Sequence, residues 1–587
     1  MIGRRLTEAV NTTFREYQWL FLYSSGVLIF AMLWAQLQLR EFPVDLVCLD
    51  IAFGLAQGFV NLLILSQISR RWLRSLVAGL MLVLATGLSL VVLYVVVNFN
   101  LAVSSRIISV VLATNQNEAL ELLTNPALYR PMLWPLVGLG AIGVFSVLAH
   151  RFLHPRIRLY RPVVLLFTFL SIGLFVAMNG IATASYFRFR DGKWKPSIRY
   201  LILSAPEQLF WGYLECKWEE KYFEEQLASI SQQEVEVEVK EAIKPFTLVI
   251  VLGESMRKEY MHCYGYALDN TPRIDSLLKI GRMALYTNAI APAGHTISSV
   301  PESFSTHNID SVNTKWFETP TLPQLLRKAG FRTVWTSNQN HISYHSAPIS
   351  AIASACDSVF YLMYAIQDKS FEKLHDYDGA LLPYLDQRAD STELLCQIIH
   401  VKGQHAQYKQ RYPEAAFGRF GAEDIQEKPE EQRGAIAEYA NAVLYGDYFL
   451  GEVVSRYEKD NALIIFFSDH GQALYDDSQN PDVLQHSDAM VGLRIPYMVY
   501  ATERFIGTHG EIWERIMASK QGLFVNDLFT QSICQLLGIQ ADCLDSCENM
   551  FSPSYDWTTH RTVFGMEYNY PDTVDAPLSY RRWLMRQ

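Results

Sequence analysis

Residues 463–471 read Leu463-Ile464-Ile465-Phe466-Phe467-Ser468-Asp469-His470-Gly471. An unbroken apolar run of this length suits a strand covered on both faces, as in a parallel sheet with helices on either side. It stops abruptly at Asp469, His470 and Gly471. In open α/β sheets ligands bind beyond the carboxyl ends of the strands. Asp469 and His470 stand at that place, and both are metal-ligand types. Taken alone, the stretch also reads as a strand followed by an ordinary polar turn. The remainder of the second half separates the two readings.

From Phe246 onward, apolar runs alternate with helical patterns, which implies a mainly parallel sheet flanked by helices. Phe246–Leu252 leads into Gly253-Glu254-Ser255, and Arg332–Thr336 into Ser337-Asn338-Gln339. Gln397–Val401 leads into Lys402-Gly403-Gln404-His405, Asn461–Phe467 into Asp469-His470, and Ile495–Tyr500 is a further strand. One His or Glu after a strand is an ordinary loop residue. Glu254, His405, Asp469 and His470 arriving from three strands are harder to dismiss, and His486 adds a candidate upstream of Ile495. A set of Asp, Glu and His without Cys suits zinc or a similar divalent ion. For a nucleophile, the stretch Ala291-Pro-Ala-Gly294-His295-Thr296-Ile-Ser298-Ser299 offers hydroxyls near a helix start. Such a start favours phosphate or an attacking oxyanion, and it equally suits a capping residue. The pattern leaves Thr296, Ser298 and Ser299 open.

The first half is of another kind. Half of the 587 residues are hydrophobic and 19% are charged. Apolar stretches at Trp19–Leu39, Leu46–Leu65, Leu76–Val97, Met132–Ala149 and Pro162–Ala182 are each close to the ~20 residues that cross a bilayer. The first is too long, and lacks the small-residue site, for a cleaved signal peptide. Ten Arg lie in the N-terminal tail and the second and fourth connectors, against Arg40, Arg106 and Arg130 on the other side. This places the N-terminus in the cytoplasm. Five spans then put everything after about residue 185 outside, which in a bacterium is the periplasm. Residues 1–184 carry 13 Lys+Arg against 7 Asp+Glu, a net of +6, while the whole chain is −10, so the rest is −16. That acidic half argues against nucleic acid. The expected domains are 1–184 (five spans), 185–245 (interfacial helices and a bridging linker) and 246–587 (a soluble α/β domain). In the bridge, Pro196 and Pro206 are expected to break the chain into short pieces, and the charged run Glu219–Lys244 reads as a solvated linker.

These residues together resemble the inner-membrane phosphoethanolamine transferases of Gram-negative bacteria, within the alkaline phosphatase/sulfatase superfamily. The resemblance rests on Gly253-Glu254-Ser255 with Arg257, Tyr264-Gly265-Tyr266, Asn270-Thr271-Pro272 and Asn338-Gln339. It extends to Gly403-Gln404-His405 with Tyr408 and Arg411-Tyr412-Pro413, to Ser468-Asp469-His470-Gly471, and to His486. In the outer loop, Thr114-Asn115-Gln116-Asn117-Glu118 resembles a further stretch of the family. The resemblance implies an alkaline-phosphatase/sulfatase-like catalytic domain. Thr296 would be the nucleophile, and Glu254, Thr296, Asp469, His470 and His486 would hold one or two Zn2+. His405 would serve in catalysis, while Asn115, Glu118, Asn338, Gln339, His405 and His486 would contact substrate. It implies transfer of phosphoethanolamine from phosphatidylethanolamine to lipopolysaccharide or another envelope glycan. A phosphoglycerol transferase, or a phosphatase or sulfatase of the same superfamily, is the alternative. Two departures stand out. Gln472 replaces a glutamate often found after Asp-His-Gly, and an odd number of cysteines faces the oxidising side, where Cys534, Cys543 and Cys547 suggest a local bridge.

Overall fold

The computed structural model describes residues 2–38, 44–99, 131–153, 159–190, 204–308, 314–339, 347–362, 377–386, 393–478 and 489–556, with isolated positions besides, His486 among them. Asn115 and Glu118 lie outside the described residues. The chain divides into two compact units, Met1–Tyr222 and Phe223–Gln587.

Among the described residues, five helices of the first unit are long and apolar enough to cross a membrane. They are α1 (Ile2–Gln38), α2 (Val44–Gln67), α3 (Arg71–Phe99), α4 (Leu133–Leu153) and α5 (Arg161–Arg190). Among them, α1, α3 and α4 pack together through Val27, Ala31, Leu93 and Leu139, with Met132 just before α4. Their outer faces are apolar too: Trp134 and Phe169 are three-quarters exposed (74% and 76%). A helix that is apolar all round belongs in lipid rather than water.

The bridge departs from the expected short pieces. Ala205–Gln232 is one helix, α6. Pro206 falls in its first turn, where a missing N–H costs no helical bond. Trp211 of α6 packs with Met32, Phe53, Met178 and Ala182, and Gln226 and Ile230 are buried, so the charged run is helical as far as Gln232 rather than a solvated linker.

The second unit is built on a seven-stranded sheet. Its strands are β1 (Thr247–Gly253), β2 (Met283–Tyr286), β3 (Arg332–Ser337), β4 (Ser358–Tyr361), β5 (Leu395–His400), β6 (Ala462–Ser468) and β7 (Tyr497–Ala501), in the spatial order β2-β7-β6-β1-β5-β3-β4. All neighbouring pairs from β6 to β4 are parallel. β7 runs antiparallel to both β6 and β2. On β1, Leu248, Ile250 and Leu252 enter one core, while Val249 and Val251 enter the other. This alternation requires cover on both faces. One face receives α7 (Thr296–Ser303), from which Val300 joins Phe304 in the core. The other face receives α8 (Glu430–Tyr457), through Ile436, Tyr439, Val443 and Val453. All eight cysteines are free, so the suggested bridge near the C-terminus does not form here.

Candidate active site

Register brings four strand ends level. Gly253 pairs with Ser468, Leu252 with His400, and Ser337 with His400. The residues that follow, Glu254, Asp469-His470, Asn338-Gln339 and the Gly403-His405 turn, therefore converge at one edge of the sheet.

At the centre, the Thr296 hydroxyl donates to Glu254 Oε2 at 3.1 Å and lies 3.3 Å from His470 Nε2. His470 Nε2 is 3.3 Å from Glu254 Oε1 and 3.5 Å from Asp469 Oδ2. Its other nitrogen, Nδ1, lies 2.6 Å from the Gly471 carbonyl, which fixes the ring. Thr296 is the first residue of α7, where the helix dipole favours negative charge. The Ser299 hydroxyl is engaged with the Asp469 carbonyl and Ser298 points to solvent. Of the three hydroxyls, only that of Thr296 meets both Glu254 and His470.

The backbone around these groups is pinned. Ser255 holds a left-handed φ of 56°. Its N–H donates to Asp469 Oδ1 at 3.0 Å, its hydroxyl to Glu254 Oε1 at 2.7 Å, and its carbonyl accepts from Tyr439 at 2.8 Å. Strain of this kind persists only where the surroundings over-determine it. Gly471 is needed for close approach, since a Cβ would lie 2.7 Å from the Val491 carbonyl.

Asn338 donates to Asp378 Oδ1 at 2.9 Å, and Asp378 also accepts the N–H groups of Lys402 and Gly403 at 2.8 and 3.0 Å. Asn338 and Asp378 thus tie the ends of β3 and β5 together. Gln339 reaches the site, with Nε2 3.5 Å from Glu254 Oε2 and 3.0 Å from the Val401 carbonyl. Gln472 donates to the Tyr408 hydroxyl at 2.8 Å. His486 lies among three rings: His470 at 4.6 Å between centroids, His295 at 5.3 Å and the exposed His405 at 6.1 Å. Ser255, Asp378 and His295 escape sequence reasoning, because each acts through a partner that no local pattern announces.

The donor set suits a cation. Glu254, His470 and His486 each offer an atom within 4.8 Å of the others. Asp469 Oδ2 is buried without a hydrogen-bond partner among the described residues, a costly state for a carboxylate oxygen. Burial, and then the charge of Glu254, push the Asp469 carboxyl above its usual range. Against burial, the Asp469 and Glu254 charges push His470 up to about 9. Burial and the His470 charge push His486 down to about 3, which keeps its lone pair available. Two acids crowded into one dry space with one cationic imidazole leave a place for positive charge.

A family model described as Sulfatase matches residues 247–539. Another, described as Phosphoethanolamine transferase EptA/EptB, matches residues 58–193. The chain belongs to the phosphoethanolamine transferase family of the alkaline phosphatase/sulfatase superfamily. Among relatives of this family, phosphoethanolamine transferase EptC of Escherichia coli K12 is 25% identical over 325 residues, covering 54% of this chain and 55% of the relative. EptA of Helicobacter pylori is 27% identical over 330 residues, covering 54% and 57%. The chain spans about half the length of the curated relatives it matches. The crystal structure of the C-terminal periplasmic domain of EptC from Escherichia coli, in complex with Zn, superposes with a TM-score of 0.51 at 21% identity, covering 58% of this chain and 98% of that domain. That likeness supports the fold of the second unit.

Proposed function

We propose that this protein transfers phosphoethanolamine from phosphatidylethanolamine to an envelope glycan, lipopolysaccharide first among them, through an ester on Thr296. The observation that carries the reading is the Thr296 hydroxyl, set at a helix start between Glu254 and His470 at 3.1 and 3.3 Å. A threonine hydroxyl is a weak nucleophile, and a neighbouring base or a metal must activate it. Glu254 Oε2 accepts its hydrogen bond and is placed to receive the proton as the oxygen attacks phosphorus. The new Thr296 O–P bond forms as the P–O bond to diacylglycerol breaks, and the leaving oxygen takes up a proton. The exposed His405 is the candidate to supply that proton, and His486, held neutral, is the candidate to orient the phosphoryl oxygens. In the second step an acceptor hydroxyl attacks the same phosphorus and passes its proton to His405, the Thr296 O–P bond breaks, and Thr296 recovers its proton from Glu254.

Glu254, Thr296, Asp469 and His470 would hold a first zinc ion, with His486 and His405 available to a second. Bound zinc supplies positive charge against the phosphoryl oxygens and lowers the pKa of a hydroxyl. Gln339, Asn338 and the outer-loop Asn115 and Glu118 are proposed substrate contacts, Gln339 being the one whose amide reaches Glu254. The Arg bias of the tail and connectors supports an inner-membrane protein with its catalytic unit in the periplasm.

The test is mass spectrometry of the full chain after incubation with phosphatidylethanolamine. A phosphoethanolamine adduct on Thr296 with release of diacylglycerol is expected, and Thr296→Ala should lose the adduct while remaining folded. Modification at another residue, or hydrolysis with no adduct and no transfer product, would overturn the reading in favour of a hydrolase.

A further inference from the structure

His295 directly precedes the proposed nucleophile and belongs to none of the ligand or substrate assignments above. It caps α7 from an extended backbone, with no side-chain capping bond to that helix. Its ring lies over His486, with centroids 5.3 Å apart and planes inclined by 16°. Offset stacking at this separation is a favoured geometry for aromatic pairs. The other two rings near His486 are inclined at 41° for His470 and 73° for His405. Among the described residues, His295 is thus the ring that lies flat against His486.

The placement matters because of where the two residues originate. His486 lies ahead of β7 in the sequence, and its own backbone is in no helix or strand. His295 is anchored: its carbonyl accepts the N–H groups of Ser298 and Ser299 at 3.1 and 2.9 Å, the first bonds of α7. Ser299 is in turn engaged with the Asp469 carbonyl. The His295 ring therefore stands on the same rigid piece that presents Thr296.

We propose that His295 is a positioning residue that holds the His486 ring over the site by face stacking, coupling the placement of His486 to that of Thr296. This rests on the transferase reading for its kinetic consequence but not for its geometry. The contact requires a flat ring at position 295 rather than a nitrogen ligand.

The discriminating pair is His295→Ala, which removes the ring, and His295→Phe, which keeps a flat ring without nitrogen. The first readout needs no activity. It is the rate at which diethylpyrocarbonate modifies His486 in the zinc-loaded full chain, followed by peptide mass spectrometry. The rate should rise roughly 3- to 10-fold in His295→Ala, the range expected for loss of one aromatic pair, and stay near wild type in His295→Phe. The second readout is formation of the Thr296 adduct from phosphatidylethanolamine, which should slow roughly 10-fold in His295→Ala and recover in His295→Phe. Unchanged His486 reactivity in His295→Ala would overturn the proposal. So would equal defects in the two variants, or loss of bound zinc in both, because either would make a nitrogen of His295 the working group. If the wild type forms no Thr296 adduct, the transferase reading fails, while the reactivity readout still decides the stacking contact.

Discussion

Gly403→Ala is the perturbation whose size can be worked most directly from the structure. Gly403 holds a φ of +47°, and a Cβ there would lie 2.8 Å from the Glu254 carbonyl oxygen, 3.0 Å from its nitrogen and 3.2 Å from its Cβ. The crowding atoms are mainly backbone, so no side-chain rotation relieves them. A left-handed backbone costs an L-residue ~1–2 kcal/mol. Two bonds at the contact would also loosen: Gln404 N–H to the Glu254 carbonyl at 2.9 Å, and Gly403 N–H to Asp378 at 3.0 Å. Each contributes about 1 kcal/mol, so the variant should lose ~2–4 kcal/mol of stability.

The displaced group is Glu254, whose Oε2 accepts from Thr296. A shift approaching 1 Å at a reacting group costs on the order of 10²-fold, so Thr296 adduct formation should slow roughly 10- to 100-fold. Chemical unfolding of the full chain in detergent and the adduct rate by mass spectrometry give the two measurements. Gly403→Asn separates the causes, because Asn tolerates the left-handed region but keeps the clashing Cβ. It should recover at most about 1 kcal/mol. If Gly403→Ala unfolds and reacts like wild type, the close approach beneath Glu254 does not exist. If Asn restores the rate fully, the clash is not the cause.

Two further outcomes follow. Gln472→Glu puts a carboxylate into a buried place where the wild-type amide serves Tyr408; it should cost roughly 1–3 kcal/mol and leave zinc content by elemental analysis unchanged, whereas altered zinc content would show that this position addresses the metal. Asp447 accepts the N–H groups of Arg273 and Ile274 at 3.0 and 2.8 Å, and burial pushes its carboxyl up to about 7 against them. A folded-state pKa above the unfolded one gives stability that is fully present below about pH 4 and lost as pH rises through about 7. The unfolding midpoint of the wild type should therefore climb as pH falls from 8 to 5, and Asp447→Asn should flatten that climb; identical profiles would refute it.

Much of the sheet was legible because buried strands write continuous apolar runs. β1, β3, β5 and β6 all fall within two residues of their expected limits. The edge strands β2 and β4 have four residues each and escaped notice. On β4, Ser358 and Val359 are exposed, so no apolar run marks it. The direction of β7 was also illegible. A parallel partner needs a long crossover, usually a helix; between β6 and β7 the only helix among the described residues is Met490–Leu493. Direction is thus written in the connection, not in the apolar run. Among the candidate site residues, Glu254, Asp469 and His470 stood out in the sequence because they follow strands. Thr296 was not separable from Ser298 and Ser299 by pattern, since all three suit a helix start. Asp378 and His295 were invisible because their partners, Asn338 and His486, lie 40 and 191 positions away.

The arrangement also explains how dissimilar pieces of chain stay in register at the site. Arg257, three residues beyond Glu254, is fully buried. Its Nε donates to Glu259 at 2.9 Å, and its Nη1 to both oxygens of Asp476 at 2.8 Å. Glu259 accepts in turn from Arg494 at 3.0 Å. Buried charges are costly unless fully paired, and removing one partner strands the others. This chain of pairs joins the segment after β1, the segment after β6 and the residue shortly before β7. Those first two segments begin with Glu254 and with Asp469-His470. A network of this kind adds little net stability over apolar packing, but it admits few alternative geometries. The sheet brings the proposed ligand residues to one edge, and the ion pairs behind them limit how far Glu254 and His470 can drift from the 3.1 and 3.3 Å contacts with Thr296 on which the proposed chemistry depends.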